Sequence, residues 1–271
     1  MSQPDQTQMS ALAGAAEPVQ MSLWRSPVAI WRLASTLSYL VILALRMRLT
    51  FPGLSHEAKA RKIQDWSQSI LRRLGVNLQV HGQFRPGAKL VVSNHVSWLD
   101  IIAINATHPA RFVSKTEVAK WPVVGNMVVL AGSIMLDRAK RRDAMRVMGL
   151  LTQTLKDGGT AAAFPEGTTG TGREVLPFHG NLLQSAIDAD VPVQPVALRY
   201  SDARHAISPA AAYVGDTSLA QSLWWVAGAT DLTLHLTILP VQQEQQQRRV
   251  IHADRRALAA ALRDEIVAAL A

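Results

Sequence analysis

Apolar runs and longer mixed segments alternate along the chain from Gln79 onward. The short apolar runs have the length of strands, and in the mixed segments apolar residues return every three or four positions, as in a helix. The strand-like runs are 89–93, 111–114, 133–136, 160–164, 193–199, 211–214 and 232–239. The clearest helical segments are 141–156, 180–189 and 254–270. This alternation predicts an α/β fold, a layered mixed sheet flanked by helices.

A long apolar segment, 28–45, precedes the alternating part and contains one charged residue, Arg32. Its uninterrupted portion, 33–45, would form a helix of roughly 20 Å, shorter than the hydrocarbon core of a bilayer, which is about 30 Å thick. Two membrane arrangements remain open: a tilted transmembrane helix with Arg32 snorkelling to the interface, or a helix that enters one leaflet. Flanking arginines and interspersed aromatic residues disfavour the third interpretation, a buried helix of a soluble protein.

The next segment, 55–75, is predicted to be a helix that begins at Ser55 and ends at Gly75. One face carries apolar residues at helical spacing, namely Ile63, Trp66, Ile70 and Leu74. The opposite face is basic, with Lys59, Arg61, Lys62, Arg72 and Arg73. By itself such a face suits water as well as an anionic leaflet, but the preceding apolar helix favours the leaflet.

Residues 1–20 are polar, rich in alanine and without periodicity, so we predict that they are disordered. They contain no basic stretch followed by a short cleavable apolar core, so we do not expect a signal peptide. The sequence therefore predicts three parts. These are a disordered N-terminus at 1–20, a membrane-associated two-helix element at 21–78 and an α/β domain at 79–271.

One strand-like run ends in a polar turn that contains a histidine. Leu90, Val91 and Val92 are followed by His95, and the apolar pattern resumes at Leu99. Asp100 is close enough in sequence for its carboxylate to reach one imidazole nitrogen if the turn folds back. That contact would fix the tautomer and leave the other nitrogen as a base.

A second strand-like run also ends in a polar turn. The apolar residues 161–163 precede Phe164-Pro165-Glu166-Gly167-Thr168-Thr169-Gly170. Open α/β sheets bind ligands at the carboxyl ends of their strands. Two polar turns in this position suggest one shared cleft.

At this point the sequence resembles the glycerolipid acyltransferases, and most closely their bacterial 1-acylglycerol-3-phosphate (lysophosphatidic acid) acyltransferase branch. Four blocks in order carry the resemblance, which covers roughly Leu90 to Tyr200. They are the H-x-x-x-x-D block within 94–100, a second block at 132–138, the F-P-E-G-T block at 164–168 and a fourth block at 191–196. The resemblance also implies an N-terminal two-helix element that holds the site at the leaflet.

The resemblance implies an O-acyltransferase that moves a fatty acyl group from acyl-CoA or acyl carrier protein to the free hydroxyl of a lysolipid in phospholipid biosynthesis. In this chemistry a base removes the hydroxyl proton as the oxygen attacks. His95 is the expected base, and Asp100 orients it. The residues expected to bind the acceptor are Arg138, Glu166, Gly167, Thr168 and Lys115. No metal or organic cofactor is implied beyond the acyl thioester co-substrate.

The chain departs from the family pattern directly after the F-P-E-G-T block. Many members have Arg-Ser there, whereas this chain has Thr169-Gly170. One cationic contact to the acceptor phosphate is therefore missing or supplied by another residue, which can be Arg173, Lys115 or Arg138. Relatives that acylate lyso-ornithine lipid carry a similar F-P-E-G-T-T sequence. A lyso-ornithine lipid or another lysolipid is therefore the alternative acceptor.

Composition narrows the class of protein only in part. The absence of cysteine excludes a disulfide framework and a thiol nucleophile. A formal charge of +8 favours an acidic partner, which can be nucleic acid, a membrane or an anionic substrate. No nucleic-acid-binding signature is present, so we expect a membrane lipid rather than nucleic acid. The predicted location is the inner membrane, with the active site facing the cytoplasm. A catalytically silent membrane scaffold is the non-enzyme alternative.

Overall fold

The computed structural model describes residues 25–137, 141–241 and 254–271. Within these ranges seven strands form one sheet in the order β1-β7-β6-β2-β5-β3-β4. Strands β6, β2, β5, β3 and β4 are parallel, whereas β7 is antiparallel to β6 and parallel to β1. The strands are β1 (Asn77–His81), β2 (Lys89–Ser93), β3 (Arg111–Lys115), β4 (Ile134–Leu136), β5 (Thr160–Ala163), β6 (Val193–Ser201) and β7 (Thr233–Ile238). The predicted layered mixed sheet is confirmed.

Helices cover both faces of this sheet. They are α1 (Ser26–Thr50), α2 (His56–Leu74), α3 (Leu99–Thr107), α4 (Val124–Leu130), α5 (Arg141–Lys156), α6 (Gln184–Ala189), α7 (Leu219–Gly228) and α8 (Arg255–Leu270). Buried side chains of α1, α2, α3 and α7 pack on one face, and those of α5, α6 and α8 pack on the other. In the central strand β2 every residue is buried, as expected for a parallel strand covered on both faces.

Helix α2 begins and ends as its sequence predicts. The Ser55 side chain caps the first turn by accepting a hydrogen bond from the Ala58 amide at 3.3 Å. Gly75 ends the helix in the left-handed conformation with φ +74°. A side chain at this position would also collide with the guanidinium of Arg32, so α1 passes directly over this end. The two N-terminal helices are therefore packed together.

Helix α1 is longer than predicted and has two different faces. Its 25 residues correspond to about 37 Å, and by length and composition it is able to cross a membrane. One face is buried against the rest of the protein through Ala29, Thr36, Leu43 and Met47. The other face exposes large apolar side chains, including Ile30, Trp31, Leu37, Ile42, Leu45 and Leu49.

The side chain of Arg32 is directed towards the end of another helix. Its Nη1 donates hydrogen bonds to the carbonyl oxygens of Ala227 (2.9 Å) and Ala229 (3.1 Å). These carbonyls lie at the C-terminus of α7, where unpaired carbonyls and the helix dipole favour a cation. Arg25 donates to Gly228 and Ala229 at the same end. The arginines therefore attach α1 to α7.

Two predicted elements differ from the structure. Segment 211–214 was expected to be a strand, but it is irregular, and the amide of Tyr213 pairs with the carbonyl of Val96 rather than with a strand of the sheet. Of the predicted helix 180–189, only Gln184–Ala189 is α-helical, and turns precede it. The predictions did not include β1, α4 or α7. The predicted disorder of residues 1–20 lies outside the described residues.

Candidate active site

The first polar turn connects β2 to α3 at the carboxyl edge of the sheet. Strand β2 ends at Ser93 and α3 begins at Leu99, so His95 lies in the connection. The buried side chain of Asn94 fixes the turn to β6. Its amide nitrogen donates to the Leu198 carbonyl (2.9 Å) and its oxygen accepts from the Leu198 amide (2.8 Å). The side chain thus continues the hydrogen-bonded ladder beyond the last paired residue of β2.

Asp100 is fully buried in the first turn of α3 and accepts four hydrogen bonds. Its Oδ2 accepts from His95 Nδ1 (2.8 Å) and from the amides of Val96 (2.7 Å) and Ser97 (2.9 Å). Its Oδ1 accepts from the hydroxyl of Tyr200 at 2.6 Å. Four donors thus replace the water that a buried carboxylate loses. The predicted contact between Asp100 and His95 is present.

His95 is held in one tautomer and one ring plane. An ionised carboxylate only accepts hydrogen bonds, so the neutral imidazole carries its proton on Nδ1 and presents a lone pair on Nε2. The Phe164 ring stacks on the imidazole with a centroid distance of 4.0 Å and an interplanar angle of 10°. The His95 side chain remains 18% exposed. An oriented, partly exposed neutral imidazole is able to act as a general base.

Glu166 is buried directly behind His95. Its Oε1 accepts from the His95 amide at 2.6 Å, and its Oε2 accepts from the Leu176 amide at 2.9 Å. Burial is the largest cause that raises the pKa of Glu166, to about 7. The nearby charge of Asp100 adds to the rise, and the two amides and Arg263 oppose it. The carboxylate therefore links the second polar turn to the backbone of the first.

Further hydrogen bonds, beyond those of Glu166, join the two polar turns. The Gly170 amide donates to the His95 carbonyl at 2.8 Å. The Tyr213 amide donates to the Val96 carbonyl at 3.0 Å, and the Thr169 hydroxyl donates to the Tyr213 carbonyl. The structure therefore brings the two polar turns into direct contact, and their assignment to one site stays a prediction.

The remaining predicted acceptor residues lie at the same edge of the sheet or outside the described residues. Gly167 has φ +72°, a conformation that favours glycine, and Thr168 beside it is half-buried. Lys115 is the last residue of β3, two strands away from β2, and its side chain is exposed. Arg138 falls in the gap between residues 137 and 141, outside the described part of the chain.

Two residues of this site were not found by reasoning from the sequence. Tyr200 lies 100 positions after Asp100, and no local pattern links the two residues. Asn94 stands beside His95 within the H-x-x-x-x-D block, so its position next to the histidine was the available signal. Ser93 and Ser97, which lie two positions before and after this histidine, are both fully buried.

The described residues contain no group of three or more His, Cys, Asp or Glu side chains placed to hold a metal ion. The fold and the polar edge together define the class of protein. It is a layered α/β protein whose candidate active site lies at the carboxyl ends of its parallel strands.

Comparison with known proteins gives the family. The Acyltransferase family profile matches residues 77–199. A 1-acyl-sn-glycerol-3-phosphate acyltransferase from Neisseria meningitidis is 36% identical over 187 residues, which are 68% of this chain and 73% of the relative. A lyso-ornithine lipid O-acyltransferase from Pseudomonas aeruginosa is 34% identical over 175 residues, 64% of this chain and 67% of the relative.

A solved structure shares the fold. The 1-acyl-sn-glycerophosphate (LPA) acyltransferase from Thermotoga maritima superimposes with a TM-score of 0.62 at 20% identity, covering 89% of this chain and 96% of that one. The chain belongs to the acyltransferase family, and it is an enzyme of the acyltransferase class.

Proposed function

We propose that the protein is a 1-acylglycerol-3-phosphate O-acyltransferase, which transfers a fatty acyl group from a thioester to the free hydroxyl of lysophosphatidic acid. The observation that carries the proposal is the buried Asp100 carboxylate 2.8 Å from Nδ1 of the partly exposed His95. Such a pair activates an alcohol without a covalent enzyme intermediate. The similarity to the Neisseria meningitidis enzyme supports this acceptor.

The proposed reaction proceeds in two proton transfers. Nε2 of His95 accepts the proton of the acceptor hydroxyl while the oxygen attacks the thioester carbonyl. Asp100 stabilises the imidazolium that forms, through the hydrogen bond to Nδ1. Collapse of the tetrahedral intermediate breaks the carbon–sulfur bond, and the thiolate takes the proton from Nε2.

A lyso-ornithine lipid is the second candidate acceptor, and one observation favours it. The Thr169 side chain stands where many family members have arginine, and its hydroxyl is engaged by the Tyr213 carbonyl. This position therefore provides no cation for a phosphate monoester. The similarity to the Pseudomonas aeruginosa enzyme is consistent with this alternative.

Acceptor binding is assigned to Arg138, Lys115, Glu166, Gly167 and Thr168. The two cations would attract an anionic head group. Gly167 allows close approach of the acceptor to the backbone, and the Thr168 hydroxyl can bond to glycerol oxygens. Both Glu166 oxygens already accept backbone hydrogen bonds, so this residue would act largely by fixing the loop.

We further propose that α1 lies in the cytoplasmic leaflet of the inner membrane, so that the active site faces the cytoplasm. The buried residues of α1 recur along its whole length, which ties the helix lengthwise to the α/β domain. Its opposite apolar face is then available to acyl chains over the same length. The acyl donor is acyl-CoA or acyl carrier protein, and the three-part division at residues 20 and 78 remains a proposal.

The membrane proposal has a direct test because the chain contains no cysteine. Ser26→Cys and Thr50→Cys place a single thiol at either end of α1. If the helix lies in one leaflet, a membrane-impermeant maleimide should label both variants in inverted vesicles and neither in right-side-out vesicles. Labelling of the two ends from opposite sides would show a spanning helix and refute the proposal.

The function is tested with the purified full chain in detergent micelles. Labelled acyl-CoA and acyl carrier protein are offered with lysophosphatidic acid and lyso-ornithine lipid side by side. His95→Ala is the inactive variant, and His56→Ala, an exposed histidine at the start of α2, is the matched control. We expect transfer to lysophosphatidic acid that persists in the control and disappears in His95→Ala.

Other outcomes of this assay would change the proposed acceptor, the proposed base or the assignment as an enzyme. Transfer only to the lyso-ornithine lipid would keep the mechanism and replace the acceptor. Full activity of His95→Ala would refute the assignment of the base. If His95→Ala restored growth to cells that lack this protein, the result would favour the non-enzymatic scaffold alternative.

A further inference from the structure

The hydroxyl of Tyr200 contacts Oδ1 of the Asp100 carboxylate. No local sequence pattern predicts this contact. Tyr200 belongs to β6, is 2% exposed, and its ring packs in the core between the sheet and α3. Its O–H donates to Oδ1 of Asp100 at 2.6 Å, while the other three donors all bond to Oδ2. Among the described residues, Tyr200 is therefore the donor that fixes Oδ1.

This arrangement gives the tyrosine two physical effects on the histidine. It holds the carboxylate plane, so that Oδ2 stays aligned with Nδ1 of His95. It also withdraws negative charge from Asp100, which limits how strongly the carboxylate stabilises an imidazolium. Burial, the charge of Asp100 and the hydrogen bond to it all raise the pKa of Tyr200 well above its usual value. The phenol thus stays a donor across the neutral pH range.

We propose that Tyr200 is a positioning residue of the acyl-transfer reaction, whose hydroxyl orients Asp100 and sets the basicity of His95. The inference rests on the proposed function of the His95–Asp100 pair. Tyr200 contacts neither the acyl donor nor the lysolipid acceptor in this reaction, because it is enclosed in the core. Its removal should therefore change turnover and pH dependence rather than substrate affinity.

The test is Tyr200→Phe, which keeps the ring and removes the donor. The matched control is Ser185→Ala, which removes a buried hydroxyl in α6 that bonds locally to the Leu182 carbonyl. For Tyr200→Phe we expect kcat to fall about 10-fold, as is typical when a group that supports a catalytic residue is removed, with KM for both substrates unchanged. The control should retain the kcat of the natural protein.

The midpoint of His95 protonation distinguishes positioning from a merely structural role. It is measured by NMR of the imidazole C–H groups, assigned with His95→Gln. We expect Tyr200→Phe to move the midpoint upward by about 0.5 to 1 pH unit, because Asp100 becomes more negative at Oδ1. Among the described residues, the titratable groups nearest His95 are Asp100 from α3, Glu166 from the turn after β5 and Tyr200, which acts through Asp100. Since Glu166 has a pKa of about 7, the pH–rate profile alone would mix two titrations.

Should Tyr200→Phe fail to fold, 3-fluorotyrosine provides the second test. Incorporated into a Tyr39→Phe/Tyr213→Phe background, it modifies position 200 alone, since the chain contains three tyrosines. The fluorinated phenol is a stronger donor, so the midpoint should move downward. An unchanged midpoint, or a kcat equal to that of the control, would overturn the proposal. The NMR titration requires no acyl transfer, so this failure is distinct from failure of the proposed function.

Discussion

Replacement of Glu166 by Gln should change the pH dependence of stability in a direction that the structure specifies. Glu166 is 2% exposed, and burial raises its pKa from 4.5 to about 7 in the folded protein. Below pH 4.5 the folded and unfolded states both hold the proton. Between pH 4.5 and 7 only the folded state keeps it, so the stabilisation from this group is lost as the pH rises.

The size of the effect follows from the pKa difference. One pKa unit corresponds to about 1.36 kcal/mol, so the shift of Glu166 corresponds to about 3 kcal/mol. The Gln side chain does not titrate. It has a single oxygen, so it can accept a hydrogen bond from the amide of His95 or of Leu176, but not from both. The unpaired amide should cost about 1 to 3 kcal/mol at every pH. The free energy of unfolding of the natural protein minus that of Glu166→Gln should therefore fall by about 3 kcal/mol between pH 4.5 and 7.5.

The assay is urea denaturation in detergent micelles at half-unit pH steps, with the natural protein, Glu166→Gln and Glu174→Gln. Glu174 is exposed on the same loop, so its carboxylate stays in water in both states, and its variant should show a much flatter difference. Most other titrating groups cancel in the subtraction. A difference that is flat or rises with pH would refute the assignment of Glu166 as a buried, proton-retaining carboxyl.

The remaining predictions concern the turn that contains His95 and the first helix, α1. Asp100→Asn should lower kcat by about 10⁴ in the acyl-transfer assay, because it favours the wrong tautomer of His95; a loss below 10-fold would contradict this role. Asn94→Ala leaves the buried amide and carbonyl of Leu198 unpaired, so urea denaturation should show about 2 to 4 kcal/mol lower stability. Arg32→Leu removes the cation at the end of α7, and we expect about 1 to 2 kcal/mol of lost stability with kcat retained. Unchanged denaturation midpoints would contradict the last two predictions.

The sequence indicated where the candidate site lies, but most contacts within the site could not be predicted from it. The His95–Asp100 contact was predictable because both residues belong to one short turn, where spacing restricts geometry. The function of Glu166 was predicted mainly from the family resemblance. Its burial, its two amide partners and its raised pKa depend on the chain around Leu176 folding over it. The acceptor role of Arg138 stays a prediction, since this residue lies outside the described residues.

The sequence by itself determined the local elements. Strand β2 follows from a continuous apolar run, and α2 from its cap at Ser55 and its stop at Gly75, because these signals act over a few residues. Only the tertiary structure decided that Tyr200 reaches Asp100 and that Arg32 binds the end of α7. Such contacts join residues 100 to 200 positions apart, and they depend on strand order and helix packing. A hydrophobic pattern specifies which face of an element is buried, but not which distant element covers it.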